Sequence, residues 1–176
     1  MNRIGIRRES KNRWERRVPL TPKHVQRLIN DHEIPFTVQP SDLRVFPTED
    51  YEEAGARVEE ELNEVDITLG VKEIPIQELI PKMCYMFFSH TTKGQKQNME
   101  MLKKMCDIHC TLIDYEKVVD EKGRRLIFFG WHAGVAGMVD TLWTAGRRLE
   151  WEGVRNPFSS IMKAHEYGSL PNIREH

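Results

Sequence analysis

Apolar residues recur along the chain with two periods, one short and one close to a helical turn. "RIGIRR" (Arg3–Arg8) alternates apolar and polar side chains, as a strand with two unlike faces does. "IPFTVQ" (Ile34–Gln39) and "EVDITLGVK" (Glu64–Lys72) are rich in β-branched residues and predict two further strands. "CYMFFSH" (Cys84–His90) is a continuous apolar run that ends in polar residues, which predicts a buried strand. "CTLIDYE" and "RRLIFFG", with the turn "DEKG" between them, predict a hairpin.

Helical spacing appears between these runs. In "PLTPKHVQRLIND", Thr21 is the expected N-cap, Pro22 opens the helix, and Val25, Leu28 and Ile29 share one face. "PTEDYEEAGA" predicts a short helix capped by Thr48, with acids in its first turn. "IQELIP" predicts a helical turn, and "GQKQNMEMLKKMCD" an amphipathic helix packing Met99, Leu102 and Met105. One long helix is expected from about His132 to Glu150. The last segment, "GSLPNIREH", reads as frayed. Strands alternating with helices imply an α/β fold. The expected architecture is a mainly parallel, Rossmann-like sheet covered by helices on both faces, followed by a long C-terminal linking helix. Residues 1–130 form the expected substrate-binding catalytic domain, and 131–176 the linking helix and the start of a further connection.

Composition narrows the partners. The chain has 176 residues, enough for one domain with a real core, and its net charge of −1 makes no case for nucleic acid. It contains no run of 18 apolar residues, so no membrane span is expected. "MNRIGIRRES" has no apolar h-region and does not read as a secretory signal. The cysteines, Cys84, Cys106 and Cys110, are odd in number, which suits a reducing compartment. "CDIHC" has no second ligand pair, so it reads as a helix end running into a strand, and no metal is expected.

Ligands of parallel sheets bind beyond the carboxyl ends of the strands. Lys72 and His90 each fall at such an end, Lys93 follows His90, and Arg17 sits in the loop "WERRVPLTP". Each has a plain alternative. Arg16 and Arg17 read equally as surface charge, Lys72 as a side chain reaching for water, and His90 as a polar strand end bonded to backbone. Together they suit a chemical site. Imidazole and ammonium groups move protons, and guanidinium and ammonium groups grip carboxylates. So much positive charge without a metal suggests a substrate with several carboxylates, and crowded cations favour the neutral, proton-accepting form of Lys72.

"WERRVPLTPKHV", "GVKEIP", "FFSHTTKGQ", "LIDYEKVVDEKGRR" and "GWHAGVAGM" resemble the N-terminal lysine–ketoglutarate reductase portion of the bifunctional α-aminoadipic semialdehyde synthases. The likeness runs from about Ile4 to Tyr167. The wider superfamily includes fungal saccharopine dehydrogenase, alanine dehydrogenase and the N-terminal domain of proton-translocating transhydrogenase. The resemblance implies that L-lysine condenses with 2-oxoglutarate and that NADPH reduces the imine to saccharopine. It implies Lys72 and His90 as catalytic acid–base residues, and Arg17 and Lys93 as substrate-binding residues. Glu73 is expected beside Lys72, tuning its charge state; its plain alternative is a solvated acid.

The Gly-x-Gly-x-x-Gly fingerprint of a dinucleotide site is absent. Gly130, Gly134 and Gly137 have the wrong spacing and read as close packing at a helix start. The main NADP(H) site is therefore expected on a separate dinucleotide-binding domain of the same polypeptide, with no cofactor bound to this chain. That makes the chain the substrate half of a two-domain reductase, inactive alone in hydride transfer. The alternatives are a stand-alone binding or regulatory module for lysine, saccharopine or 2-oxoglutarate, and a subunit that docks to a separate domain. An apolar face on the last helix (Val135, Met138, Leu142, Trp143) is expected to be exposed, for a missing partner or for a second copy. The expected compartment is the mitochondrial matrix for an animal source and the cytoplasm otherwise.

Overall fold

The computed structural model describes residues 3–175. Its elements are β1 (Ile4–Ile6), α1 (Pro22–His32), β2 (Phe36–Val38), α2 (Thr48–Glu53), β3 (Arg57–Val58), β4 (Ile67–Leu69), β5 (Cys84–Phe87), α3 (Lys96–Asp107), β6 (Thr111–Asp114), α4 (Gly130–Trp151) and α5 (Leu170–Glu175). They fall into two compact units, Met1–Ile127 and Phe128–His176.

The first unit is built on one six-stranded sheet of order β3-β2-β1-β4-β5-β6. Every neighbouring pair is parallel, so the expected α/β class holds and the sheet is wholly parallel. The order runs outward from β1 to β3, then returns to place β4 beside β1. In open parallel sheets, a reversal of this kind opens a crevice at the strand ends.

Alternation in the strands feeds two cores. Ile6, Phe36 and Val38 point to one face, where Val25, Tyr51 and Ala56 cover them. Tyr85 and Phe87 belong to the other face, with Leu62, Val65, Ile74, Met101 and Met105. Gly5 lets the second cover approach closely: a Cβ there would lie 2.9 Å from Val65 and 3.2 Å from Leu62. Thr21 caps α1 as expected, its hydroxyl accepting from the His24 N–H at 3.3 Å. The buried Tyr51 hydroxyl donates to the Leu20 carbonyl at 2.8 Å, and burial pushes its pKa up to about 12.

Several expectations shift. Thr48 is the first residue of α2, and Pro47 is the N-cap. The Thr48 hydroxyl instead accepts from the Ser41 N–H at 3.2 Å, which pins the preceding loop. The strand expected over 64–72 is confined to Ile67–Leu69. In α3 the buried positions are Asn98, Met101 and Met105, while Met99 and Leu102 are half-buried. The hairpin does not form as two strands. Asp114 caps the turn Tyr115–Lys117 by accepting from the Glu116 N–H at 2.8 Å, which ends β6. Beyond it, Asp120 gathers the N–H groups of Lys122 and Arg124, and a single antiparallel bridge, Val119 to Arg125, joins the two arms. β3 has only two residues, too few to show alternation in the sequence.

In the second unit, α4 packs against the segment after it. A Cβ on Gly146 would lie 2.9 Å from the Phe158 carbonyl oxygen, so only glycine fits without a shift. Asp140 accepts from the Ala164 N–H at 2.9 Å, and Lys163 sits 4.7 Å from the centre of the Trp143 ring. The expected apolar face is thus only partly open. Met138 is 61% exposed, whereas Val135, Leu142 and Trp143 are half-buried. The tail expected to fray contains the helical turn α5. Among the described residues, no helix is long and apolar enough to cross a membrane.

Thr21→Ala removes one helix-terminal hydrogen bond and leaves the core untouched. It should lower stability by about 1 kcal/mol, read as a shifted urea midpoint with an unchanged slope.

Candidate active site

β4 and β5 are parallel neighbours, so their carboxyl ends leave the sheet side by side. The pairing continues past the strands: Gly70 N–H donates to the Met86 carbonyl at 3.0 Å, and Phe88 N–H to the Val71 carbonyl at 3.1 Å. Lys72 follows Leu69 by three residues, and His90 follows Phe87 by three. The register sets Leu69 beside Met86, so Glu73 comes opposite His90, and Lys72 opposite Ser89.

His90 is held on several sides. Its φ is +50°, an uncommon value for a residue with a side chain, costing on the order of 1–3 kcal/mol. Its ring stacks on Phe88 at 6.4 Å between centroids and 24° between planes. Its Nδ1 lies 2.9 Å from Glu73 Oε1, and its carbonyl accepts from Asn98 Nδ2 at 3.4 Å. With Nδ1 donating to a carboxylate, Nε2 is the nitrogen that exchanges protons.

Glu73 also accepts from Asn98 at 3.1 Å and lies 3.8 Å from Lys11 Nζ. Burial pushes its pKa up; backbone hydrogen bonding, His90 and Lys11 outweigh that and leave it below the ordinary 4.5. Glu73 was expected to tune Lys72. The structure engages its carboxylate with His90, Asn98 and Lys11.

The backbone at Lys72 is clamped by Glu9, which the sequence reading did not single out. Glu9 follows β1, and its side chain is 5% exposed. Its carboxylate accepts from Val71 N–H at 2.7 Å and Lys72 N–H at 3.0 Å. Burial raises the Glu9 pKa above its ordinary value, against the opposing pull of Val71, Arg7 and Lys72. Glu15 was likewise missed. It is buried and receives Arg17 Nε at 2.7 Å and Nη2 at 2.5 Å. Burial pushes Glu15 up, but Arg17 and the charge of Lys72 hold it below 4.5. Arg17 and Lys72 are thus interleaved with Glu9 and Glu15, and the cluster is less cationic than the sequence implied.

Lys93 is exposed in the turn after His90. Its charge and that of His90 both act on Glu116, whose carboxylate accepts from Thr92 at 2.8 Å and faces Arg125 at 3.5 Å. Beneath this turn the buried Ser89 hydroxyl donates to Asp114 in a short hydrogen bond. The exits therefore join His90 to Glu73 and Asn98, Glu9 clamps the backbone of Lys72, Glu15 holds Arg17, and Glu116 marks the side nearest Lys93. A legible signal for Glu15 was present: an acid two residues before Arg17 pairs with that arginine when buried.

Among the described residues, no three His, Cys, Asp or Glu side chains converge as metal ligands. The dinucleotide fingerprint also finds no counterpart. Gly130 opens α4, and Gly134 and Gly137 lie inside it, with no strand leading into a phosphate-cradling turn.

Glu9→Ala should cost about 2–4 kcal/mol, because it leaves two N–H groups without their acceptor, whereas Glu9→Gln should cost less. Urea unfolding checks both. Glu15 and Glu73 have folded pKa values below 4.5, so their stabilising contribution is complete above pH 4.5 and lost as pH falls through the depressed values. Glu15→Gln and Glu73→Gln should each flatten the fall in thermal midpoint on acidification below that pH.

Comparison with known proteins agrees with this architecture. The family model described as "Alanine dehydrogenase/PNT, N-terminal domain" matches residues 5–136. "Alpha-aminoadipic semialdehyde synthase, mitochondrial" of Bos taurus is 42% identical over 93% of this chain and 18% of its own length. The Arabidopsis thaliana alpha-aminoadipic semialdehyde synthase is 40% identical over 95% of this chain and 16% of its own. "Saccharopine dehydrogenase [NAD(+), L-lysine-forming]" of Neurospora crassa is 36% identical over 76% of this chain and 37% of its own. The chain thus spans less than a fifth of the length of the semialdehyde synthases it matches. An L-alanine dehydrogenase structure superposes with a TM-score of 0.67 at 21% identity, covering 85% of this chain and 42% of its own, a likeness of fold. With this family model matched over most of its length and this sheet beneath the match, the chain belongs to the alanine dehydrogenase/PNT N-terminal domain family.

Proposed function

We propose that this chain is the substrate-binding half of a lysine–2-oxoglutarate reductase of lysine catabolism, an oxidoreductase that joins L-lysine and 2-oxoglutarate into saccharopine. The observation that carries the reading is a carboxylate-oriented His90 at the exit of β5, with Lys72 at the exit of the neighbouring β4. The 42% identity to a semialdehyde synthase over nearly the whole chain supports it.

The chemistry asks for what these residues offer. The ε-amine of the substrate attacks the ketone carbon of 2-oxoglutarate, and a C–N bond forms as the C=O bond becomes a hydroxyl. In this reading, Lys72 relays the proton released by the amine to the ketone oxygen, which becomes the hydroxyl. His90, held through Nδ1 by Glu73, gives a second proton from Nε2 to that hydroxyl, and water leaves as the C=N bond of the iminium forms. Arg17 and Lys93 bind substrate carboxylates, with Glu15 holding the Arg17 guanidinium in place.

Reduction of the imine requires a hydride. The sequence carries no Gly-x-Gly-x-x-Gly fingerprint, and we assign that step to a dinucleotide-binding domain of the same polypeptide, using NADP(H). Residues 131–176 would then be the linking helix and the start of the connection to it. The animal relatives are named mitochondrial, which supports the mitochondrial matrix as the compartment of an animal source.

Titration of the isotopically labelled chain with saccharopine tests the reading. Amide shifts should saturate in the millimolar range and cluster at Arg17, Lys72, His90 and Lys93. Arg17→Met should weaken binding about tenfold, the loss of one charge-assisted contact. Saturable binding that ignores Arg17→Met and Lys72→Met, or no binding by a polypeptide that includes the dinucleotide domain, would contradict the assignment.

A further inference from the structure

His90 turns the chain out of the sheet with a φ of +50°, a conformation that residues with side chains keep only where their surroundings impose it. Glu73 and Asn98 hold its ring and its carbonyl. The residues on either side of it, Ser89 and Thr91, act on the torsions themselves.

Ser89 is fully buried, and its hydroxyl is engaged three times. It donates to the Asp114 carboxylate. With its one proton on Asp114, its oxygen accepts the Thr91 N–H at 3.2 Å and the Thr91 hydroxyl at 2.7 Å. A hydroxyl has one proton and two lone pairs, so this set is complete. The bond to the Thr91 N–H closes a ring that runs through the N, Cα and C atoms of His90, and both backbone torsions of His90 lie inside it. Serine and threonine hydroxyls fix turns in this way. Asp114 decides which way the Ser89 proton points, and so leaves both lone pairs for Thr91. It is itself fixed: it ends β6 beside Phe87, is 7% exposed, and its other oxygen accepts the Glu116 N–H at 2.8 Å.

A second contact runs the same way. Tyr115, next to Asp114, meets the Phe88 ring edge-on at 5.0 Å, and Phe88 stacks on the His90 imidazole. The end of β6 therefore reaches His90 by two routes, one through the backbone ring and one through the aromatic stack. Ser89 has no exposed surface to offer a ligand, so its part is to position and not to react.

We propose that Ser89 and Asp114 are positioning residues of the crevice. Together they hold His90 in its left-handed conformation, which sets Nδ1 on Glu73 and leaves Nε2 for proton transfer. The proton transfer rests on the reaction proposed above; the hold on His90 does not.

Nitrogen–proton correlation spectra of the labelled chain read which imidazole nitrogen carries the proton. The parent should show Nδ1–H where the ring is neutral, the form that a bond to Glu73 selects. Ser89→Ala opens the ring around His90, and the two nitrogens should move toward the averaged shifts of an unheld imidazole. Asp114→Asn should move them less, because the amide nitrogen donates to Ser89 while the Ser89 proton turns to Thr91. It reads the same hold where Ser89→Ala does not fold. Val25→Ala, which loosens the core beneath α1, should leave both nitrogens as in the parent. In the polypeptide that includes the dinucleotide domain, Ser89→Ala should lower kcat about tenfold, the scale of a small misplacement, with KM for saccharopine within about twofold.

The hold on His90 is refuted if Ser89→Ala and Asp114→Asn both keep the parent's nitrogen shifts, or if Val25→Ala moves them as far. Its consequence for proton transfer is refuted if kcat stays constant while the nitrogens move. A parent polypeptide without reductase activity would count against the reaction alone, and the nitrogen shifts would still decide the hold.

Discussion

The carboxylate of Glu9 joins the exit of β1 to the exit of β4 across the reversal in strand order. It accepts two consecutive backbone N–H groups, those of Val71 and Lys72, in a place where water does not compete. A parallel sheet fixes its strands through ladder bonds, but those bonds stop where the chain leaves the sheet. Beyond that point something else must hold the loops. Here Glu9 holds the Lys72 loop, and Glu73 with Asn98 holds His90. Gly70 permits the clamp, since a Cβ there would press to 3.1 Å on the Arg7 side chain and 3.4 Å on Glu9.

This arrangement changes how the charges at the strand ends are understood. Arg17 and Lys72 do not gather as bare cations waiting for an anionic ligand. Each is set among carboxylates that fix its position: Glu15 grips Arg17 through two nitrogens, and Glu15 also feels the charge of Lys72. A prepositioned guanidinium loses less side-chain freedom on meeting a ligand carboxylate, which favours selectivity over raw charge attraction. The same alternation recurs at Glu116, between Arg125 and the charges of His90 and Lys93.

Much of this was legible in the chain. Alternation marked β1, β-branched composition marked β2 and β4, a continuous apolar run marked β5, and β6 was expected as one arm of a hairpin. Thr21 and Pro22 marked the start of α1 through capping chemistry that is local in sequence. What was not legible depended on distant partners. Glu9 reads as an ordinary surface acid until β4 is laid beside β1, and its role appears only across 62 residues. Glu73 sits next to Lys72 in sequence and so was assigned to it, yet the fold delivers it to His90 from 17 residues away. The arm 124–130 has strand-forming composition, but Asp114 ends β6 before a second strand could pair along it. β3 and α5 were too short to carry any periodic signal.

The most direct test of the central claim, that the β4 and β5 exits form one prearranged substrate crevice, is a crystal structure of the chain with saccharopine bound. The account predicts the secondary amine of saccharopine between Lys72 and His90 and a carboxylate on Arg17. It also predicts the Glu9 bonds to Val71 and Lys72, and the Glu73 bond to His90, unchanged from the free chain. Saccharopine bound away from both strand exits, or a Lys72 loop released from Glu9 on binding, would contradict it.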